Sequence, residues 1–172
     1  MKTNLFLSLL LLTGLLSCKS EKAADFEKKI TDQERTAFNA LIGKNGYQDT
    51  KDLNLIKNNF EGALASLHQQ EQLFDSIIKN LSALSTDNIK ESPPVKAAAI
   101  DYYKALKDLF LIDRLSIEQQ QLTFTKDAQK IDKAQDSLLQ ISRKKLELYK
   151  RVSEKQSVLQ KTLDNFNQAN NL

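Results

Sequence analysis

A single histidine and a single cysteine bound the chemistry open to this chain. General acid–base work near neutral pH needs a group that titrates there, and His68 is the only side chain placed so without perturbation. His68 and Glu71 stand three residues apart on a helical stretch. Di-iron carboxylate bundles use the opposite order, Glu-x-x-His, and use it twice. Reversed and present once, the pair reads as a solvent-facing polar strip. There is no Gly-rich phosphate loop, no Gly-x-Ser-x-Gly turn and no Cys/His pair. The carboxylates are interleaved with lysines, as on solvated helix faces. The expectation is a protein with no catalytic residue, no metal and no cofactor.

Binding residues are easier to name. Asp113 and Arg114 interrupt the most apolar run, Leu109-Phe110-Leu111-Ile112 and then Leu115. Asp113 falls close to the apolar seam of its helix. The pair either lies at the edge of the stripe, with Arg114 extended along its aliphatic stem, or forms a buried pair that fixes register or meets a ligand. Tyr102 and Tyr103 are adjacent, so both rings cannot face one core and one is expected near the surface. Arg143, Lys144 and Lys145, with Lys150 and Arg151, set five basic residues against Glu147. Such a cluster suits anionic headgroups or an acidic partner, although on a helix it points in several directions. These seven residues, Tyr102, Tyr103, Asp113, Arg114, Arg143, Lys144 and Lys145, are the candidate binding surface.

Composition narrows the frame. Hydrophobic residues make up 41% of the 172, and 25 Lys+Arg against 22 Asp+Glu leave a formal charge of +3. That is ordinary globular content, too apolar for disorder and too weakly basic to mark a nucleic-acid partner. Four Gly and two Pro are too few for the many turns of a sandwich or barrel.

Those scarce breakers punctuate helical segments. Gly43-Lys44-Asn45-Gly46 is one break, Ser85 to Asn88 running on to Ser92-Pro93-Pro94 another, and Thr123 to Asp127 a softer third. Segment A spans Ala24 to Ile42, or starts at Asp32 if Thr31-Asp32-Gln33-Glu34 is a capping box. Segment B carries an apolar seam from Leu53 and Ile56 through Phe60, Leu67, Phe74 and Leu81, interrupted at Gln70. Segment C starts with Ser92 as N-cap and Pro93 at the first helical position. Segment D follows Asp127 and frays from Asn167. The fold expected is all-α, an elongated up-down-up-down antiparallel bundle with one short and three long helices.

The N-terminus carries an address. Lys2 precedes an apolar run from Leu5 to Leu16, about 12 residues and short of the ~20 that span a membrane. The run ends in Leu15-Leu16-Ser17-Cys18, which resembles the lipobox of bacterial lipoproteins: Leu at −3, an aliphatic residue at −2, Ser at −1, then Cys. The resemblance covers residues 1–18. It implies that residues 1–17 are a signal peptide, that Cys18 becomes the diacylglycerol-linked N-terminus, and that 18–23 form a short tether before one bundle domain, 24–172. Lys19 replaces the Asp that retains enterobacterial lipoproteins at the inner membrane, which favours an outer membrane, on its periplasmic or surface face. Two or more acyl chains on one Cys hold a protein firmly, whereas one holds it marginally. Ile30-Thr31-Asp32-Gln33-Glu34 is similar to the Leu-Thr-x-x-Gln motif of periplasmic helical chaperones, with Glu34 in the last place and no second copy.

The function expected from these features is non-enzymatic: a membrane-anchored cell-envelope module with an envelope protein partner and no nucleic acid. The alternative is a chaperone-like or ligand-sensing protein with a pocket between helices near Asp113 and Tyr102 or Tyr103.

Overall fold

A computed structural model describes residues 20–172, and in them every regular element is an α-helix. The signal-peptide and Cys18 readings fall on residues 1–19 and lie outside the described residues. Among the described residues no helix is long and apolar enough to cross a membrane. The helices are α1 (Glu21–Leu41), α2 (Tyr47–Ile56), α3 (Phe60–Ser82), α4 (Ser92–Leu122) and α5 (Ala128–Asn170). The all-α expectation holds. The count of four does not, because segment B is two helices.

The extra break is built from asparagines. Asn58 takes a left-handed φ of 54°, a conformation that Asn tolerates better than most side chains. Asn59 then caps α3, its Oδ1 accepting from the Gly62 N–H at 3.0 Å while its Nδ2 donates to Asn54 Oδ1 at 2.7 Å. The seam expected across segment B therefore divides. Phe60, Leu67, Phe74 and Leu81 are buried, whereas Leu53 and Ile56 on α2 are 56% and 77% exposed.

Other termini also refine the sequence reading. Ser20 caps α1, accepting from Ala23 N–H at 3.3 Å. The helix runs through Thr31-Asp32, whose capping box does not form; Thr31 Oγ1 donates instead to the Glu27 carbonyl one turn back. Ser92 is not the N-cap of α4. It is the first helical residue, buried, with its hydroxyl donating to the Ile89 carbonyl at 2.9 Å and the Thr86 carbonyl at 3.2 Å. Asp127 does cap α5, accepting from Gln129 and Lys130 N–H.

The end of α5 does not fray at Asn167. Phe166 is fully buried with its ring centroid 5.4 Å from that of Phe26 on α1. Asn170 is 6% exposed and its Nδ2 donates to the Lys90 carbonyl at 2.9 Å, tying the helix end to the α3–α4 loop. Asn170→Ala leaves that carbonyl short of a partner. The expected loss is about 1–2 kcal/mol, read by urea unfolding, with faster amide exchange confined to the last two turns of α5.

Pairing along the helices sets their directions. Asp101, Asp108 and Asp113 on α4 meet Lys155, Arg151 and Lys145 on α5, so α4 and α5 run antiparallel. Lys107 and Arg114 on α4 meet Asp75 and Glu71 on α3, so that pair is antiparallel too. The main core gathers α1, α3, α4 and the end of α5 around Phe74, Tyr103 and Phe166. A smaller one joins Phe60, Ala63 and Leu67 of α3 to Ile117 of α4, with Leu55 of α2 packed against it.

Candidate functional site

The break after Ile56 turns α2 so that Tyr47, Lys51 and Leu55, at four-residue spacing, face the bundle. Lys51 is thereby carried inside, at 2% exposure, against Asp113 in the middle of α4 at 8%. A buried ammonium needs an anionic partner, and Asp113 supplies it: Lys51 Nζ donates to Asp113 Oδ2. From the other side Lys145 Nζ of α5 donates to Asp113 Oδ1 at 2.5 Å. One carboxylate thus holds two lysines from two other helices. Of the two placements open to Asp113 from sequence, the structure has the buried one, but Arg114 is not its partner. Arg114 is partly exposed and reaches Glu71 of α3 at 3.5 Å.

Lys51 is not among the residues that the sequence singles out. Its only sequence signal is indirect: an acid on an apolar seam requires a cation from another element. The basic cluster likewise separates. Lys145 turns inward, Lys144 pairs with Glu147 at 2.8 Å on the surface, and Arg143 is exposed. Arg151 meets Asp108 at 3.3 Å. These residues do not make one basic face.

Beside the Lys51–Asp113–Lys145 group lies a half-open cleft of about 320 Å³. On α4 its wall is Leu106, Leu109, Phe110 and Asp113, at helical spacing. On α5 it is Lys145, Tyr149 and Val152, and Ile42 and Gln48 close it from the α1–α2 turn. The volume falls at the lower end of ligand pockets, roughly 300–1,000 Å³. Gln48 also accepts a long hydrogen bond, 3.5 Å, from Gln70 Nε2. Gln70, the residue that interrupts the α3 seam, is fully buried and its Oε1 has no hydrogen-bond partner.

The tyrosines lie elsewhere. Tyr103 is 3% exposed and Tyr102 half-buried, their rings edge to face at 5.2 Å. They border a crevice of about 90 Å³ with Glu34, Leu159 and Leu163. Burial first, and the Glu34 carboxylate second, hold both phenols above the usual tyrosine pKa. Neither ring borders the Asp113 cleft, so the expected grouping of Asp113 with the tyrosines does not occur. His68 is exposed, its Nδ1 3.8 Å from Glu71. Among the described residues no three His, Cys, Asp or Glu side chains come together as a metal site. No family model, no curated protein and no solved structure matches this chain.

Proposed function

We propose that this chain is a lipid-anchored cell-envelope protein that acts as a non-enzymatic interaction module. The lipobox-like Leu15-Leu16-Ser17-Cys18 supports the anchor. The observation that carries the interaction role is a pair on α5: Leu139 and Leu146, at 52% and 63% exposure and seven residues apart, lie on one helix face with no cover from the other described residues. We read α1 and α2 as one interrupted leg of an up-down-up-down bundle, with α3, α4 and α5 as the others. Acyl chains on Cys18 would place the start of α1 at an outer-membrane surface and leave the exposed pair free for an envelope protein.

The test is site-specific photocrosslinking in living cells. A photoreactive side chain at Leu146 should give a discrete higher-mass adduct that the same group at Lys161, an exposed polar site on the same helix, does not give. Identical profiles from both positions would contradict the module reading.

A second reading, ligand sensing, is favoured by one specific feature. The cleft beside Asp113 joins apolar walls to a buried charged group, the combination that orients a small amphipathic molecule.

A further inference from the structure

Two helices of opposite direction give the Asp113 cleft a charged end and an apolar end. On α4, seven residues separate Asp113 from Leu106, about 10 Å of helix. On α5, seven residues separate Lys145 from Val152, running the other way. Because α4 and α5 are antiparallel, with Lys145 on Asp113 and Arg151 on Asp108, both walls change from charged to apolar towards the same end.

The charged end has a sign. Asp113 uses both carboxylate oxygens, one on Lys51 and one on Lys145. Lys51 is buried away from the cleft lining and is committed to Asp113, which meets the carboxylate's charge. Lys145 lines the cleft and is a third exposed; it gives Asp113 one of its three donors. The net charge left facing the cleft is therefore the Lys145 ammonium. A cationic headgroup would meet a carboxylate whose charge Lys51 already balances, with the Lys145 ammonium beside it. An anionic one would find Lys145 donors at the end of an apolar wall.

We propose that this cleft binds a single-chain monoanionic amphiphile: a carboxylate whose head meets Lys145 and whose aliphatic tail, about 10 Å long, lies along Leu106, Leu109 and Val152. The proposal rests on the ligand-sensing reading and makes that reading chemically specific. It leaves the exposed pair at Leu139 and Leu146 free.

The experiment uses the full chain in lipid nanodiscs, with binding to empty nanodiscs subtracted, and decanoate as the probe. Decanoate should bind saturably at one per chain. Lys145→Met should weaken it about tenfold or more, the loss of a charge-assisted hydrogen bond, while Lys145→Arg retains it. In both variants Asp113 keeps Lys51, and Asp101 and Asp108 on α4 keep Lys155 and Arg151 on α5, so the helices stay paired, and a circular dichroism melt checks this. Val152→Trp fills the tail end and should abolish binding of decanoate and of uncharged decanol alike. Decyltrimethylammonium binding as tightly as decanoate, or a Lys145→Met variant that binds decanoate normally, would overturn the anion assignment and leave a ligand cleft standing. No saturable binding of any of the three amphiphiles would overturn the cleft reading as well.

Discussion

Asp113→Ala is expected to destabilise the bundle by about 3–5 kcal/mol, the cost of leaving a buried charge without its partner. Lys51 is 2% exposed and its ammonium has no water to turn to once the carboxylate is gone. The exposed Asp52, 3.8 Å away, is a distant and solvated substitute. Lys145, a third exposed, can rehydrate. The loss should therefore sit with Lys51, and the double variant Lys51→Met with Asp113→Leu should recover most of it, since apolar groups of similar shape replace a buried pair at little cost. Urea unfolding of the parent and the two variants measures this. A double variant no more stable than Asp113→Ala alone would mean that Asp113 stabilises the helices by some route other than Lys51.

Phe74→Ala is expected to cost about 3–5 kcal/mol, the range for an aromatic ring removed from an enclosed site. Phe74 has no exposed surface and its ring centroid lies 5.4 Å from that of Phe110 on α4. Its loss leaves a cavity at the α3–α4 contact in the main core. Phe124, at 60% exposure on the rim, is the contrast, although it too touches another ring, Phe60 at 5.5 Å. Phe124→Ala should cost less than half as much. A Phe74→Ala variant within about 1 kcal/mol of the parent would place that ring outside any well-filled core.

The helices were legible because their apolar residues recur at three and four, because Pro93 lies within one residue of the start of α4, and because Asp127 caps α5 in the usual way. The missed break shows where that logic stops. Gly43 and Gly46 announced one turn, but Lys57-Asn58-Asn59 carries neither Gly nor Pro. Among the described residues, four of the five left-handed non-glycine residues are asparagines, Asn45, Asn58, Asn88 and Asn171, so there Asn does the work that Gly does elsewhere. Reading Asn-Asn as a continuing helix kept Leu53 and Ile56 in the seam and put Lys51 outside. Once the break is seen, the register of α2 reverses and the second lysine on Asp113 appears.

The site was half legible for the same reason. Asp113 stood out as an acid on an apolar face, and Lys145 as part of a basic cluster. Nothing in the spacing within one helix could join residues 51, 113 and 145, because the contact is made by three helices. The end of α5 has the polar sequence of a frayed terminus, yet it stays helical to Asn170 because it has a distant partner. Asn170 finds the Lys90 carbonyl 80 residues back in the chain, a pairing no local pattern contains.

The central proposal is that Cys18 carries a lipid that would hold this bundle at a membrane. Metabolic labelling of cells with a clickable fatty-acid analogue, followed by recovery of the protein, tests it most directly. The account predicts a labelled parent protein that fractionates with membranes, and a Cys18→Ser variant with no label that is released or left unprocessed. Equal label on the variant, or an unlabelled parent, would contradict it.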